Sequence, residues 1–537
     1  MKPGVRNLRV IIVAGLFLLA VLSGAWLVDK SSRTGTFTSY EAAHLYDQVY
    51  EHVSNDFVDT LSDSVLYRKS IDGMLYELHD PYSVFLPPDR FTRLSEVVSG
   101  DYAGVGIEVD VRGGSIVIVA PLPGGPAERA GAQPGDRIVK IDGKSTEGWT
   151  GEEASKALRG KPGSSVTLEI ERPGASSPIE LFVTRQKVHQ SAVRRTALLP
   201  AGVGYVDVKA FSDSTASEVS HAVEALLSRG MKSLVIDLRT NPGGLLREGV
   251  GVADLFLDPG QRIVSMRGRI PSANQAFVDS AKQRWPSLPI AVLVDGRSAS
   301  AAEIVAGALQ DHDRAVLVGR PTYGKGSAQS VFPFGAAGGL KLTTAKWYTP
   351  AGRSISKPVI DPDDPDAEET LQLPPQKFHT DAGRTIFGGG GITPDVLAGD
   401  SAVSPAEAAL VNELGAKAGD FREAITETAL AAKANHSIKS PDFAVTAAMR
   451  EELWRRVTAR GLKLTRATFD QASPVISRLL EDDIARYVFG TDVEIRRLAS
   501  SDPALSKAVG LLSGVKTEAD LLRRAAADKS SAENLAK

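Results

Sequence analysis

The sequence predicts an α+β multidomain protein, and three changes of pattern along the chain support this prediction. Between residues 101 and 185, short β-runs alternate with glycine-containing turns, which is typical of a small, partly open β-barrel. From about residue 202, apolar strands alternate with amphipathic helices, as in a sheet that helices cover on both faces. Before residue 93 and beyond residue 404, the apolar residues follow helical spacing.

With 537 residues the chain is too long for one ordinary core, so several folded regions are expected. We predict a terminal targeting segment (1–30), an N-terminal helical segment (31–97), a β-barrel module (98–186), an α/β core (187–400) and a C-terminal helical extension (401–537). An acidic and glycine-rich insertion at about 357–391 interrupts the α/β core. In the N-terminal helical segment, Leu45, Val49 and Val53 recur at every fourth residue, a spacing suited to packing or dimerisation.

Composition excludes several classes of function. The chain has 62 basic and 65 acidic side chains and a formal charge of -3, so no nucleic-acid partner is predicted. It has no cysteine, which excludes disulfides, thiolate catalysis and cysteine-bound zinc. Its eight histidines lack the His-Glu-x-x-His spacing of a catalytic zinc site. We therefore predict no metal and no cofactor.

The beginning of the chain predicts export. Lys2, Arg6 and Arg9 precede an uncharged, largely apolar run over residues 10–28, which as a helix would be roughly 28 Å long and would match the hydrocarbon core of a membrane. The basic flank would lie on the cytoplasmic side. We expect an uncleaved anchor, although Gly24–Ala25 leaves cleavage as a signal peptide open. Either outcome places the rest of the protein in the periplasm or another extracytoplasmic space.

A serine stands where an apolar strand gives way to a helix. In the segment DGRSASAAEI, Gly296 permits a sharp turn and Ser300 begins the helix. A serine at this point would expose its hydroxyl at the carboxyl edge of the sheet, and the first N–H groups of the helix, such as that of Ala301, would stabilise an oxyanion. Ser300 and Glu303 also have the spacing of a capping box, which many helices carry without catalysis. This segment alone therefore favours a simple helix cap.

Two further loops change that balance. In the segment YGKGSAQ, Lys325 lies between two glycines and Gln329 follows four residues later, so that the glutamine could orient the lysine amine. In the segment DLRTNPGGLL, Gly243 and Gly244 follow an apolar strand and leave the backbone open to donate an N–H to an oxyanion. Taken singly, the pair Gly243 and Gly244 is better explained as a tight turn.

Taken together, the three segments resemble the carboxyl-terminal processing (tail-specific) protease family over roughly residues 40–396. This resemblance implies a serine endopeptidase with a Ser-Lys dyad on an α/β protease core. The residues that it assigns are Ser300 as nucleophile, Lys325 as base, Gln329 beside the lysine, and a glycine near Gly243 as oxyanion donor. Ser298 is the alternative nucleophile. The ordinary pKa of a lysine is near 10.4, so a lysine base at neutral pH requires about 4 kcal/mol of destabilisation of the ammonium form, which burial can supply.

The β-barrel module likewise resembles a PDZ domain. Its YAGVGI segment matches the carboxylate-binding loop of that family, and we predict that Gly104, Val105, Gly106 and Ile107 bind the C-terminus of a protein beside an apolar pocket. The implied partners are exported or envelope proteins with free, apolar C-termini. Arg159 is a possible coupling residue between this module and the protease core.

Two rival functions stay open at this point. One is a Ser-His-Asp protease that uses His312 or His221, although no Gly-x-Ser-x-Gly segment accompanies them. The other is a catalytically silent PDZ scaffold that binds envelope proteins by their C-termini. The insertion and the C-terminal helices leave oligomeric state and partners undetermined; a homo-oligomer is expected, and an adaptor or activator protein is possible.

Overall fold

The computed structural model of this chain describes residues 38–112, 114–357, 376–399 and 404–535. The predicted membrane segment and much of the predicted insertion lie outside these ranges. The described chain forms two compact units that divide after Phe85, and the predicted α+β multidomain fold is confirmed. Among the helices of the described ranges, none has both the length and the apolar character needed to cross a bilayer.

The first unit consists of two helices, α1 (Ser39–Asp56) and α2 (Asp63–Tyr76). A capping box at its N-terminus stabilises α1. No residue of α1 is buried, and the predicted stripe of Leu45, Val49 and Val53 is 47%, 54% and 36% exposed. The described part of this unit therefore leaves an apolar face of α1 uncovered. The short strand β1 (Val84–Leu86) follows the two helices.

The second unit begins with helix α3 (Pro88–Ser99) and a small barrel. Its elements are β2 (Asp101–Gly104), β3 (Ile107–Arg112), β4 (Ser115–Pro121), α4 (Pro126–Arg129), β5 (Arg137–Ile141), β6 (Lys144–Ser145), α5 (Gly151–Leu158), β7 (Ser165–Glu171), β8 (Ile179–Thr184) and β9 (Gln186–His189). The main sheet has the order β3-β4-β5-β7-β8, and β2 pairs with β9. Alternate residues of β7, Val166, Leu168 and Ile170, are buried, because successive side chains of a strand point to opposite faces.

The α/β core is built on a six-stranded sheet. Its elements are β10 (Val193–Leu199), β11 (Val203–Val208), α6 (Thr215–Ser228), β12 (Ser233–Asp237), α7 (Leu246–Asp254), β15 (Ile290–Val294), α8 (Ala301–Asp311), β16 (Val316–Gly319) and β21 (Val396–Leu397). The strand order is β10-β11-β12-β15-β16-β21. All neighbours are parallel except β10 and β11. One face of the sheet, including Ile236 and Val292, packs against the buried sides of α6, α7 and α8.

A second sheet of the core is antiparallel. It includes β13 (Arg262–Gly268), β14 (Gln275–Val278), β17 (Ser327–Pro333) and β18 (Gly339–Tyr348). Strand β18 pairs with both β17 and β13. The hairpin of β19 (Lys377–His379) and β20 (Thr385–Phe387) occupies the described end of the predicted insertion.

The described part of the C-terminal extension contains helices and connecting loops but no strand, and it has two parts. The first is a bundle with its own core, which also contains a π-helical turn, Ala485–Phe489. Its helices are α9 (Pro405–Leu414), α10 (Ala418–Ala434), α11 (Ala447–Ala459), α12 (Arg466–Gln471) and α13 (Ser473–Ile484). The bundle contacts the barrel module, where a guanidinium N–H of Arg112 donates to the hydroxyl of Thr426 at 3.0 Å.

The second part of the extension covers the other face of the central sheet. Its helices are α14 (Thr491–Ser501), α15 (Pro503–Leu512) and α16 (Glu518–Leu535). Leu505 and Leu512 pack with Tyr205, Val235 and Leu293 of the strands. A fully buried leucine contributes about 1.5–3 kcal/mol, so these helices are an integral layer of the core. The sequence left open whether they pack on the core or on a neighbouring subunit.

Candidate active site

Three loops meet at one edge of the central sheet. Strands β12, β15 and β16 are parallel neighbours, so their carboxyl ends lie side by side. The chain leaves β12 toward Gly243, leaves β15 toward Ser300 and leaves β16 toward Lys325. The structure therefore brings the three predicted segments to a common site, in the crevice where ligands of parallel α/β sheets bind.

Ser300 lies immediately before α8 in a strained conformation. Its φ is 55° and its ψ is -115°, a backbone region that costs a residue other than glycine about 1–3 kcal/mol. The preceding turn is held by Asp295, whose carboxylate oxygen accepts the N–H groups of Arg297 and Ser298. Strain of this kind persists only where the surrounding structure determines the conformation, and it concentrates at functional sites.

Ser298, the alternative nucleophile, is engaged in that turn. Its hydroxyl donates to the carbonyl of Leu238 at 2.8 Å and accepts the N–H of Asp295 at 2.9 Å. The residue is 0% exposed, whereas Ser300 is half-buried. A nucleophile has to reach a substrate that arrives from solvent, so the geometry favours Ser300 over Ser298.

Glu303 joins the turn of Ser300 to the loop of Lys325. Its Oε2 accepts the N–H of Ser300 at 2.8 Å and the N–H of Lys325 at 2.9 Å. Its Oε1 accepts the hydroxyl of Thr322 at 2.6 Å and the N–H of Gly324 at 2.7 Å. Burial raises the pKa of the Glu303 carboxyl above its ordinary value, while the four donated hydrogen bonds oppose that rise. The capping-box spacing indicated the first of these bonds but none of the other three.

Lys325 lies in a loop whose backbone is fixed on both sides. Gly324 has a φ of 88°, which favours glycine, and a Cβ on Gly326 would overlap a neighbouring side chain. The carbonyl of Lys325 accepts the indole N–H of Trp347 at 3.1 Å, and its N–H donates to the buried carboxylate. The side chain is half-buried. Its direction is therefore set by bonds on each side of its Cα.

Gln329 lies on β17, just after a β-bulge between Ala328 and Gln329. Its amide N–H donates to the hydroxyl of Ser327 at 2.9 Å and to the hydroxyl of Thr343 at 3.2 Å. These bonds hold the side chain against strand β18. Its expected role beside the lysine amine stays a prediction.

Gly243 packs directly against the serine. A Cβ on Gly243 would lie 2.7 Å from the Cβ of Ser300 and 3.0 Å from the backbone nitrogen of Ala301, so only glycine fits. Its N–H donates to the side-chain oxygen of Asn241 at 2.8 Å. Ala301 is the first residue of α8, where an N–H has no acceptor within the helix. The oxyanion roles of both residues stay predictions. For Gly243, that role requires its N–H to leave the side-chain oxygen of Asn241 and donate to the oxyanion instead.

Asn241 stabilises the loop after β12 through buried hydrogen bonds. The sequence did not indicate this role. Its side-chain N–H donates to the carbonyl of Val208 at 2.9 Å, and its own carbonyl accepts the N–H of Ala299 at 2.9 Å. The residue is 0% exposed. The loop after β12 is therefore bonded to the residue that precedes Ser300.

His312, one of the two histidines of the rival triad, lies too far along α8 to act as a base for Ser300. His312 caps the far end of α8, about 16 Å of helix away from Ser300. Its ring nitrogens are bonded to the Asp381 carboxylate and to the carbonyl of Arg262 at 2.7 Å each. His221 is an exposed residue of α6. The geometry therefore does not favour a Ser-His-Asp mechanism.

The barrel module has a pocket of about 120 Å³ between β3 and α5. It is lined by Tyr102, Val105, Ile107, Val109, Ser155, Leu158, Arg159 and Gln190. Of the four predicted peptide-binding residues, Val105 and Ile107 form part of this wall, Gly106 turns the chain with a φ of 72°, and Gly104 makes a single β-bridge with Arg159. Its lining combines aliphatic side chains with three polar residues, Ser155, Arg159 and Gln190. Binding of a terminal carboxylate there stays a prediction.

Arg159 connects the end of α5 to α3. Its guanidinium lies 4.8 Å from the ring centroid of Tyr102 and forms an ion pair with Glu96, while its Nε–H donates to the hydroxyl of Ser155 at 3.2 Å. The contacts join the pocket to the helix that precedes the module. Coupling to the protease core through Arg159 stays a prediction.

Known protein families match both the α/β core and the barrel module of this chain. Three family models match the chain: peptidase family S41 over residues 202–365, a PDZ domain over residues 117–172, and the activating protease CtpB N-terminal domain over residues 27–89. The carboxy-terminal-processing protease of Bartonella bacilliformis is 37% identical over 355 residues, which cover 65% of this chain and 80% of the relative. The carboxy-terminal processing protease CtpA of Bacillus subtilis is 33% identical over 352 residues, which cover 66% and 74%.

A solved structure, that of a photosystem II D1 C-terminal processing protease, is 33% identical and covers 58% of this chain and 84% of its own, with a TM-score of 0.34. The matched family models and the arrangement around Ser300 define a serine-type peptidase that carries a PDZ domain. More particularly, the chain belongs to the carboxy-terminal processing protease family. A catalytically silent scaffold is not favoured.

Proposed function

We propose that this protein cleaves exported or envelope proteins with a Ser300/Lys325 dyad and that its PDZ domain selects them by their free C-termini. The observation that carries the dyad is the Glu303 carboxylate, which binds the N–H groups of both residues on one oxygen. The two backbone nitrogens are therefore within about two hydrogen-bond lengths of each other. A shared acceptor of this kind fixes the relative position of two loops that leave neighbouring strands.

The proposed reaction is an acyl transfer. The Ser300 hydroxyl attacks the peptide carbonyl, its proton passes to the neutral amine of Lys325, and the lysine then protonates the leaving amine. N–H groups at Ala301 and Gly243 stabilise the oxyanion of the tetrahedral intermediate. Water, deprotonated by Lys325, hydrolyses the acyl-enzyme and regenerates the Ser300 hydroxyl.

The proposed substrate tail binds in the pocket of the PDZ domain. A peptide would add as a strand beside β3, with its carboxylate at the Gly104–Ile107 loop and its last side chain against Val105 and Leu158. Both of those residues are buried hydrophobic groups, so a charged final side chain would be desolvated without a partner there. This supports a preference for small or apolar C-terminal residues.

We also propose that residues 10–28 anchor the protein in the cytoplasmic membrane and that the folded units work outside the cytoplasm. The apolar run and its basic flank support this location. A membrane-bound protease of this kind would meet its substrates as they emerge from export. Cell fractionation tests the proposal, together with an assay of whether a protease added from the periplasmic side digests the folded units. Recovery of the full-length chain in the cytosol would contradict it.

A second copy of this chain is the proposed occupant of the exposed face of α1. The stripe of Leu45, Val49 and Val53 is at least 36% exposed within its unit, and helices pair through stripes with this spacing. Val49→Glu should shift the species seen in sedimentation velocity toward monomer, whereas Ala43→Glu, about 120° around α1 from Val49, should not. An activator or adaptor protein at this unit, in line with the CtpB N-terminal family model, would leave the purified chain monomeric in both variants.

The test of the proposed function compares the C-termini of envelope proteins in cells that carry the wild-type protein or Ser300→Ala. Proteins that lose their C-terminal tails in wild-type cells should be intact in cells that carry Ser300→Ala. The C-terminal residues of the intact proteins should be small or apolar. Purified protein should cleave one such substrate in vitro with no added metal. An unchanged set of C-termini, with no cleavage in vitro, would contradict the proposal.

A further inference from the structure

An ion pair connects the C-terminal extension to the loop after β12. Asp502 is the N-cap residue of α15, and its Oδ2 lies 2.6 Å from Nη1 of Arg239. Its Oδ1 accepts the N–H of Leu505 at 2.9 Å. Arg239 also donates to the buried carboxylate of Asp237 at the end of β12, at 2.7 Å. The side chains of Arg239 and Asp502 are only 20% and 15% exposed, so solvent screens this pair less than an ordinary surface pair.

The residue that follows Arg239 needs such support. Thr240 has a φ of 62°, which is a strained value for a β-branched residue. Its N–H donates to the Asp295 carboxylate at 3.0 Å. The amine of Lys209 donates to the Thr240 hydroxyl and to the Arg239 carbonyl, each at 3.2 Å. The loop thus leaves the sheet through a strained residue that bonds from several sides hold in place.

The same loop ends against the nucleophile. One residue beyond Thr240, the carbonyl of Asn241 accepts the N–H of Ala299, and Gly243 packs on Ser300 with no room for a Cβ. A displacement at Arg239 would therefore be transmitted within two residues to the turn that presents the serine. Packing of this density leaves little slack for the loop to absorb such a displacement.

We propose that Asp502 is a positioning residue for catalysis, through which the C-terminal extension holds Arg239 and the Thr240–Gly244 loop in the arrangement that Ser300 requires. This rests on the proposed function of Ser300 as nucleophile. The peptidase family model ends at residue 365, well before α15, and Asp502 lies 263 residues from Arg239 in the sequence. The extension is then part of the catalytic support and not only a cover for the sheet.

The chain offers a control pair of the same chemistry, with side chains 42% and 39% exposed. A second arginine–aspartate pair, Arg229 and Asp492 at 2.7 Å, also joins the extension to the core. Arg229 directly follows α6 and precedes β12, so this pair lies at the amino edge of the sheet, away from the catalytic loops. Asp492→Asn removes a link of the same chemistry between the same two regions without touching the loop after β12.

The experiment measures kcat and KM on a short peptide reporter, the rate at which a fluorophosphonate labels Ser300, and the melting temperature. Asp502→Asn is the main variant because asparagine still accepts the N–H of Leu505 as a helix cap but loses the charge that binds Arg239. We expect roughly tenfold lower kcat and labelling rate with KM within twofold, and partial rescue in Asp502→Glu. Asp492→Asn should match the wild type in kcat, KM and labelling.

Three results would overturn the proposal: unchanged kcat and labelling in Asp502→Asn, an equal loss in Asp492→Asn, or a change confined to KM. The first would leave the ion pair with a role in folding only. These results are distinguishable from failure of the proposed function, because that failure appears in the reference protein: wild type that is not labelled at Ser300, or Ser300→Ala that keeps its turnover.

Discussion

Glu303 accepts the backbone N–H of Lys325 at 2.9 Å, across 22 residues of sequence. The carboxylate is almost fully buried, and each of its oxygens accepts two hydrogen bonds from the loops on either side of it. A buried carboxylate is tolerated only when its oxygens are satisfied in this way. Its position therefore couples the backbone of the predicted base to that of the predicted nucleophile.

The first prediction concerns this coupling. Glu303→Gln replaces one acceptor oxygen with an amide N–H, which must then face donors such as the Thr322 hydroxyl or the Gly324 N–H. We expect kcat to fall at least tenfold and the free energy of unfolding to fall by about 1–3 kcal/mol. Steady-state kinetics on a peptide reporter measure the change in kcat, and urea denaturation measures the change in the free energy of unfolding. Full activity in Glu303→Gln would show that the two loops are held by other contacts.

The second prediction identifies the nucleophile. Ser300→Ala should abolish turnover with a loss of no more than about 2 kcal/mol of stability, since only one hydroxyl at a helix cap is removed. Ser298→Ala removes a buried hydroxyl that serves Leu238 and Asp295, so it should lower the melting temperature while turnover remains measurable. Circular dichroism beside a casein assay checks both variants. The reverse pattern, with turnover lost only in Ser298→Ala, would move the nucleophile by two residues.

These residues show how far the sequence leads. The approach of Ser300 to the carboxyl edge follows from local pattern, because an apolar strand, a glycine turn and a helix start are all visible in one segment. That Ser300 and Lys325 share the Glu303 carboxylate depends on the adjacency of β15 and β16. The pairing of these two residues as a dyad came from the family resemblance, since neither loop contains a local signal for the other.

Glu303 and Asp502 mark the limit of sequence reasoning. Spacing assigned Glu303 to a helix cap, and one of its four bonds fits that assignment; the others come from a loop about twenty residues later, which no short-range rule connects. In the sequence, Asp502 resembles any N-cap aspartate before a helix that begins with proline. Only the folded structure shows that it contacts Arg239. Long-range polar contacts of this kind are set by tertiary packing, on which local propensity carries no information.

The third prediction separates a lysine base from a histidine base. Lys325→Ala and Lys325→Arg should both be inactive, because arginine stays protonated and cannot accept the serine proton. Lys346→Arg, on the exposed side of β18 opposite Ser327, is the control for an arginine placed near the site and should keep its turnover. His312→Ala should keep turnover too, with some loss of stability. Near-normal activity of Lys325→Arg would rule out the lysine as base.

The fourth prediction concerns the PDZ domain. A peptide with a free, apolar C-terminus should bind the PDZ pocket of the full-length protein. Amidation of the peptide's C-terminus should weaken binding several-fold or more, because the charge that the loop N–H groups bind is lost. Fluorescence anisotropy with the two peptides measures this on Ser300→Ala, which prevents cleavage. Equal affinity for the free-acid and amidated peptides would contradict carboxylate recognition at Gly104–Ile107.

The last prediction uses a titrating group in the C-terminal bundle. Burial, followed by repulsion from Glu494, raises the pKa of Asp482 to about 6 from an ordinary 3.8. A carboxyl with a raised pKa binds its proton more tightly in the folded state than in the unfolded state. Its contribution to the free energy of unfolding is therefore lost as pH rises from about 4 to about 6.

Asparagine cannot ionise, so Asp482→Asn should escape that loss and be more stable than the wild type at pH 7.5 by about 1–2 kcal/mol, a figure reduced from the full shift because the group is partly exposed. The gain should shrink as pH approaches 4. The adjacent Asp483 provides the opposite control: its buried carboxylate accepts the Thr426 hydroxyl at 2.8 Å and pairs with Arg422, so Asp483→Asn should be destabilising at pH 7.5. Melting temperatures at several pH values between 4 and 7.5 test both variants, and a gain in Asp482→Asn that does not change with pH would show that its origin is packing and not ionisation.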